Sequence, residues 1–119
     1  MSIQEISNEK QLSQIINGKP LYTHIFIDFY AQWCGPCKRI SPKLEEFSKI
    51  YPQVKFIKID VDKFPSLTDK YNVTAMPTFL VFKVGDNKPL YSPITGADIT
   101  KIENMLKMIT QKFSTAKDF

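Results

Sequence analysis

A chain of 119 residues that is 43% hydrophobic and 24% charged has the size and balance of one globular domain, which excludes a disordered chain. Its net charge of +4 is modest, the lysines are interleaved with acids, and no basic stripe stands beside exposed aromatics. This argues for a solvated surface and against nucleic acid, with acidic protein partners as the lesser reading.

Residues 2–6 alternate weakly and predict a short first strand. Ser7 reads as a helix N-cap, Leu12, Ile15 and Ile16 follow at helical spacing, and Asn17-Gly18 supplies the stop. After Lys19-Pro20 the run Leu21–Ala31 is β-branched and aromatic on both faces, which suits a central strand covered by helices on each side. Beyond Cys37, the positions Ile40, Leu44, Phe47 and Ile50 predict a helix burying one stripe, kinked at Pro42 and ended by Tyr51-Pro52.

Val54–Val61 is a second strong strand. Phe64–Tyr71 predicts a short helix, with Asn72 as a left-handed cap. Thr78–Phe82 reads as a strand, Gly85-Asp86-Asn87 as a turn, and Leu90–Ile94 as a last strand that Pro93 confines to a sheet edge. Ile99, Ile102, Leu106 and Ile109 form the apolar face of a final helix. The order β-α-β-α-β-α-β-β-α predicts an α/β fold with a mixed sheet between helices.

The stretch Trp33-Cys34-Gly35-Pro36-Cys37 holds both cysteines and the only tryptophan. A strand, a Cys-x-x-Cys turn and a helix is the arrangement expected of a dithiol redox site. A structural disulfide and half a zinc site are the alternatives. Zinc usually takes four ligands, and beyond the two sulfurs there is one histidine, His24, with no motif around it. Two cysteines so close cannot build the framework of a small secreted protein. The first thirty residues lack a basic stretch followed by an apolar one, and no run approaches the roughly 18–20 apolar residues of a membrane span. The expected location is the cytoplasm, with no membrane.

Asp28-Phe29-Tyr30-Ala31-Gln32-Trp33-Cys34-Gly35-Pro36-Cys37-Lys38, Asp60-Val61-Asp62, Met76-Pro77-Thr78-Phe79 and Gly96-Ala97 occur in that order. With them the chain resembles the thioredoxins, of cytosolic type, over roughly residues 2–109. The resemblance implies a thioredoxin fold, a central mixed five-stranded sheet flanked by four helices. Residues 1–109 would form that domain and residues 110–119 a polar, frayed C-terminal extension.

The implied activity is reduction of protein disulfides by dithiol–disulfide exchange. Cys34, at a helix N-terminus that favours a thiolate, would attack; Cys37, one turn on, would resolve the mixed disulfide. Gly35 would permit the tight turn into the helix. Pro36 fits the first helical turn and denies the thiolate one donor. Disulfide isomerases and oxidases carry His in that place, so Gly-Pro points to a reductant. Asp28, an acid in an apolar strand, would be the buried proton acceptor behind Cys37, and Lys58 its partner; an outward-pointing charge pair is the blander reading.

Pro77 would follow a cis bond from Met76, whose backbone would pair with a substrate strand. Trp33, otherwise a core aromatic, would shield the site and touch partners, and Thr95, Gly96 and Ala97 would form a further groove wall. The resemblance further implies a monomer without a bound cofactor, taking electrons from NADPH through thioredoxin reductase. It would pass them to proteins such as peroxiredoxin or ribonucleotide reductase. The Gly85–Gly96 segment, with Pro89 and Pro93, is longer than in short bacterial members, and Thr74 replaces a usual basic residue or glycine. The rivals are a redox-independent scaffold subunit and a secretory-type oxidase or isomerase.

Overall fold

The computed structural model describes residues 3–18 and 21–111. The elements are β1 (Ile3–Glu5), α1 (Glu9–Ile16), β2 (His24–Tyr30), α2 (Gly35–Ile50), β3 (Val54–Asp60), α3 (Pro65–Lys70), β4 (Thr78–Lys83), β5 (Ile94–Thr95) and α4 (Ile99–Thr110). One sheet runs β1-β3-β2-β4-β5; β1, β3 and β2 are parallel, while β4 and β5 each run antiparallel to the preceding strand of that order. The mixed five-stranded sheet with four helices is thus the architecture that the sequence predicts. Among the described residues no helix is long and apolar enough to cross a membrane.

β2 lies mid-sheet, and the alternation of its side chains sets the layers. Ile25, Ile27 and Phe29 turn to one face and pack with Leu12, Ile15 and Ile16 of α1 and Leu67 of α3. Phe26 turns to the other, against Ile40, Leu44 and Phe47 of α2 and Ile102, Met105 and Leu106 of α4. Its ring lies 4.9 Å from that of Phe56 on β3 and 5.3 Å from that of Phe79 on β4. Each such side chain, once buried, contributes roughly 1.5–3 kcal/mol. The next β2 position on this second face is Asp28, and there the apolar layer stops.

Several local expectations are corrected. The α1 cap is Asn8 and not Ser7: Asn8 Oδ1 accepts the Gln11 N–H at 2.8 Å, and Gln11 Oε1 accepts the Ser7 N–H at 2.7 Å. A cap at Ser7 would have Lys10 three residues on, which has no acceptor to return. β1 is shorter than 2–6, and Ser2 lies outside the described residues. Leu21 is 84% exposed, because β2 pairs only from His24 onward. The expectation at Pro42, a kink and not a break, needs no such correction: α2 continues through it.

Ile50 stays exposed, while Tyr51 is the half-buried residue at that end of α2. At the helical turn angle Tyr51 falls about 20° from the line through Ile40, whereas Ile50 falls about 80° from it. Ile99, the first residue of α4, is also exposed, and Met105 joins Ile102 and Leu106 on the buried face. A helical side chain leans over the turn before its own, and a first residue has no such turn.

The predicted strand Leu90–Ile94 reduces to Ile94–Thr95. In the β4–β5 register Ser92 would face Val81, yet the N–H that reaches the Val81 carbonyl is that of Leu90, at 2.7 Å. Pro93 has no N–H for the ladder, so the residues between loop outward. Asn72 takes the left-handed conformation after α3, at φ 56. Helix α4 includes Thr110 and is capped by Gln111, and residues 112–119 of the expected tail lie outside the described residues.

Candidate active site

Where β2 ends, Ala31-Gln32-Trp33 turns the chain into α2, and the Cys34 N–H closes that turn on the Ala31 carbonyl at 3.1 Å. Cys34 is the N-cap of α2, in extended conformation, and its Sγ accepts the Cys37 N–H at 3.1 Å. Sulfur thus takes the place that a serine or aspartate oxygen fills in an ordinary cap. Pro36 falls in the first turn, where its missing N–H leaves no helical bond unmade. Cys34 and Cys37 are disulfide-bonded, with Cα atoms 5.3 Å apart, and only 4% and 6% exposed. Gly35 is not held by strain: a Cβ there would meet only Arg39 Nη1, at 3.7 Å.

Trp33 is 69% exposed, so it is no core aromatic, and its Nε1–H donates to Asp62 Oδ2 at 3.0 Å. Asp62 is itself fixed, its N–H bonded to Oδ1 of the buried Asp60 at 2.9 Å. Asp60 Oδ2 also accepts from Gln32 Nε2 at 3.4 Å. The pair Asp60–Asp62 therefore ties the loop after β3 to the turn before Cys34. Sequence reading noted these acids as a pattern without giving them this role.

The Met76–Pro77 peptide bond is cis. Met76 packs against the apolar cluster that contains both cysteines, and the Pro77 carbonyl accepts the Gly96 N–H at 2.8 Å. Thr95 pairs with Thr78 across β4 and β5, so Met76-Pro77 and Thr95-Gly96 form one bonded unit, with the exposed Ala97 next in line. Gly96 has φ +94, which an L side chain rarely adopts, and a Cβ there would meet nothing within 4 Å. The backbone is open on that side. His24 lies at the other end of β2, its Nδ1 2.8 Å from Thr23 Oγ1, with burial and Lys83 pushing its pKa down.

Behind the cysteines opens a cavity of about 620 Å³ that Cys37 and Asp28 both line, with Tyr30, Lys58 and Glu5. Asp28 is 8% exposed and its Oδ1 has no hydrogen-bond partner. Burial pushes its carboxyl up to about 7, against the pull of Lys58 and with a further push from Glu5. Lys58 sits opposite Asp28 in the β2–β3 register, but its ion pair is with Glu5, at 4.0 Å. The outward charge pair considered for Asp28 is therefore not what forms. Glu5 and Tyr30 were missed as site residues; their approach depends on β1 lying next to β3, which no local pattern reveals. Among the described residues no group of three or more His, Cys, Asp or Glu side chains is arranged to hold a metal ion.

The arrangement is a dithiol–disulfide pair at a helix N-terminus, backed by an unpaired buried acid. The thioredoxin family model matches residues 3–110. The chain belongs to the thioredoxin family. Thioredoxin 1 of Plasmodium falciparum is 38% identical over 109 residues, 92% of this chain and 95% of the relative. A poplar thioredoxin h superposes with a TM-score of 0.85 at 25% identity, covering 95% of this chain and 100% of that one. A chain solved in work on the thiol resolving mechanism in yeast mitochondrial 1-Cys peroxiredoxin, via glutathione and thioredoxin systems, has a TM-score of 0.78. It is 38% identical, over 90% of this chain and 95% of the other. This thioredoxin is a thiol–disulfide oxidoreductase, with Cys34 and Cys37 as its redox-active pair.

Proposed function

We propose that the protein is a cytoplasmic, monomeric carrier that reduces protein disulfides, with Cys34 attacking and Cys37 resolving. The Cys34 thiolate, favoured at the α2 N-terminus, attacks one sulfur of a target disulfide and expels the other as a thiolate. Cys37 then loses its proton to Asp28, and its sulfur displaces the target from Cys34. Two electrons and two protons pass to the target, and the pair is left as the disulfide of this structure. The carrying observation is the unpartnered Asp28 carboxyl in the cavity shared with Cys37. At about 7 its pKa suits a group that must take and release a proton near neutral pH.

Pro36 in the first turn of α2 supports a reductant, since it offers the Cys34 thiolate no N–H there. The open backbone at Gly96, beside Pro77, and the exposed Trp33 suit a groove that takes an extended target segment. NADPH, through thioredoxin reductase, would supply the electrons. Peroxiredoxins are the first target class to try, given the setting in which the 38% identical yeast chain was solved; ribonucleotide reductase is a second, on family resemblance. A scaffold subunit or a secretory oxidase is not favoured by an intact pair backed by Asp28.

The test is insulin-disulfide reduction with NADPH and a thioredoxin reductase. Steady turnover is expected, and none with either a eukaryotic or a bacterial reductase would remove the carrier reading. Within the same assay, Asp28→Asn should slow reduction at neutral pH; an unchanged rate would strip Asp28 of its role.

A further inference from the structure

Lys58 stands between two acids. The β1–β3 register sets Glu5 opposite it on one side, and the β2–β3 register sets Asp28 opposite it on the other. All three side chains rise on the face covered by α2, so two carboxylates compete for one ammonium. Glu5 holds it: Lys58 Nζ lies 4.0 Å from Glu5 Oε1 and 5.0 Å from the centre of the Tyr30 ring. The Tyr30 hydroxyl donates to the other Glu5 oxygen, Oε2. Asp28 Oδ1 is left buried and unpartnered, and Asp28 lines the cavity shared with Cys37.

We propose that Glu5 is a positioning residue for the proton step at Cys37: held by the Tyr30 hydroxyl, it keeps the Lys58 ammonium from Asp28 and so keeps Asp28 a stronger base. The inference rests on the reading of Asp28 as the proton acceptor. In the resolving step the Cys37 S–H bond breaks and its proton goes to Asp28. The sulfur's electron pair forms the bond to Cys34 Sγ, and the electrons of the Cys34–target bond leave with the target sulfur. A carboxylate paired with an ammonium at about 4–6 Å loses roughly 1–3 pH units of basicity. Glu5 limits that loss and adds a negative charge of its own.

The balance on Asp28 has the same direction: burial is the largest push upward, Lys58 pulls down, and Glu5 pushes up. The other groups near it are few. Cys37, Lys38 and Glu45 line the cavity from α2, and Tyr30 follows on the same strand. Asp60 of β3 acts on Tyr30, and from β4 only the apolar Phe79 stands opposite Asp28. Of these only Tyr30, whose hydroxyl donates to Glu5, is touched when Glu5 is replaced. The Lys58 and Glu5 side chains are 33% and 40% exposed, so their pair adds little to stability and a Glu5→Gln chain should fold.

The test follows the Asp28 side-chain carboxyl by carbon-13 NMR in the oxidised full chain, beside the pH profile of disulfide reduction. Glu5→Gln should lower the Asp28 midpoint by about one pH unit or more, and the inflection of the rate profile should move the same way. In a Lys58→Met background the same replacement should lower it much less, because no ammonium remains to be released. An unmoved midpoint in Glu5→Gln overturns the proposal. So does an equally large fall in the Lys58→Met background, which would leave Glu5 acting by its own charge alone. Failure of the Asp28 reading looks different: Asp28→Asn would reduce disulfides as fast as the parent while the titration result still stood.

Discussion

The same strands build both faces of the central sheet, and the two faces differ in one band. Against α1 and α3 the strands present Ile25, Ile27 and Phe29 of β2 with Ile57 and Ile59 of β3, an unbroken apolar set. Against α2 and α4 they present Phe26 and Phe56, and then Asp28 and Lys58, with Glu5 added from β1. The change falls toward the carboxyl ends of the parallel strands, beside the helix N-terminus that carries the cysteines. A buried carboxyl without a partner weakens a fold; an apolar side chain in the same layer strengthens it. One face supplies stability, and the other gives some of it up to keep a buried carboxyl in the cavity that Cys37 lines.

The comparison can be broken most sharply at the cysteines. Cys34→Ser should abolish insulin-disulfide reduction, whereas Cys37→Ser should accumulate a mixed disulfide through Cys34, visible as an adduct by mass spectrometry. Adduct on Cys37 in the converse variant, at equal yield, would reverse the assignment of roles. Next in size is the apolar face. Phe29→Ala should lower unfolding free energy by about 3–5 kcal/mol in urea, since Phe29 is fully buried.

On the other face the sign inverts. Asp28→Asn should stabilise the oxidised protein at pH above about 7, by up to roughly 4 kcal/mol. Below about pH 4 the carboxyl is protonated in both the folded and the unfolded chain and has no effect on stability. As pH rises from the usual 3.8 to about 7, the unfolded chain ionises first and stability falls. The variant should lack that slope, and equal slopes would mean that Asp28 is not held protonated. The smallest effect belongs to the exposed Lys107–Glu103 pair on α4, 3.8 Å apart. Lys107→Ala should change stability by less than about 0.5 kcal/mol, and a larger loss would mean that charge matters outside the cavity band as well.

Much of this was legible in the sequence because it is local. The 3.6-residue stripe of α2, the two-sided apolar run of β2 and the lone acid within it are readable without tertiary contacts. So is a cysteine pair spaced for one helical turn. Other features depend on distant neighbours. Lys58 reads as a partner for Asp28 because the strands β2 and β3 pair; that it turns to Glu5 depends on β1 packing on the far side of β3. Ser7 and Asn8 are both capping types, and the choice rests on Gln11 having an oxygen to return. The Leu90–Ile94 run has strand composition, but Pro93 and the Leu90–Val81 bond push its middle out of the ladder.

The most direct measurement follows a preformed mixed disulfide at Cys34 as Cys37 resolves it, in the parent and in Asp28→Asn, across neutral pH. The parent rate should rise through about pH 7, where Asp28 loses its proton. The variant should be at least roughly tenfold slower and lack that inflection. Equal rates with the same pH profile would contradict the assignment of Asp28 as the base behind Cys37.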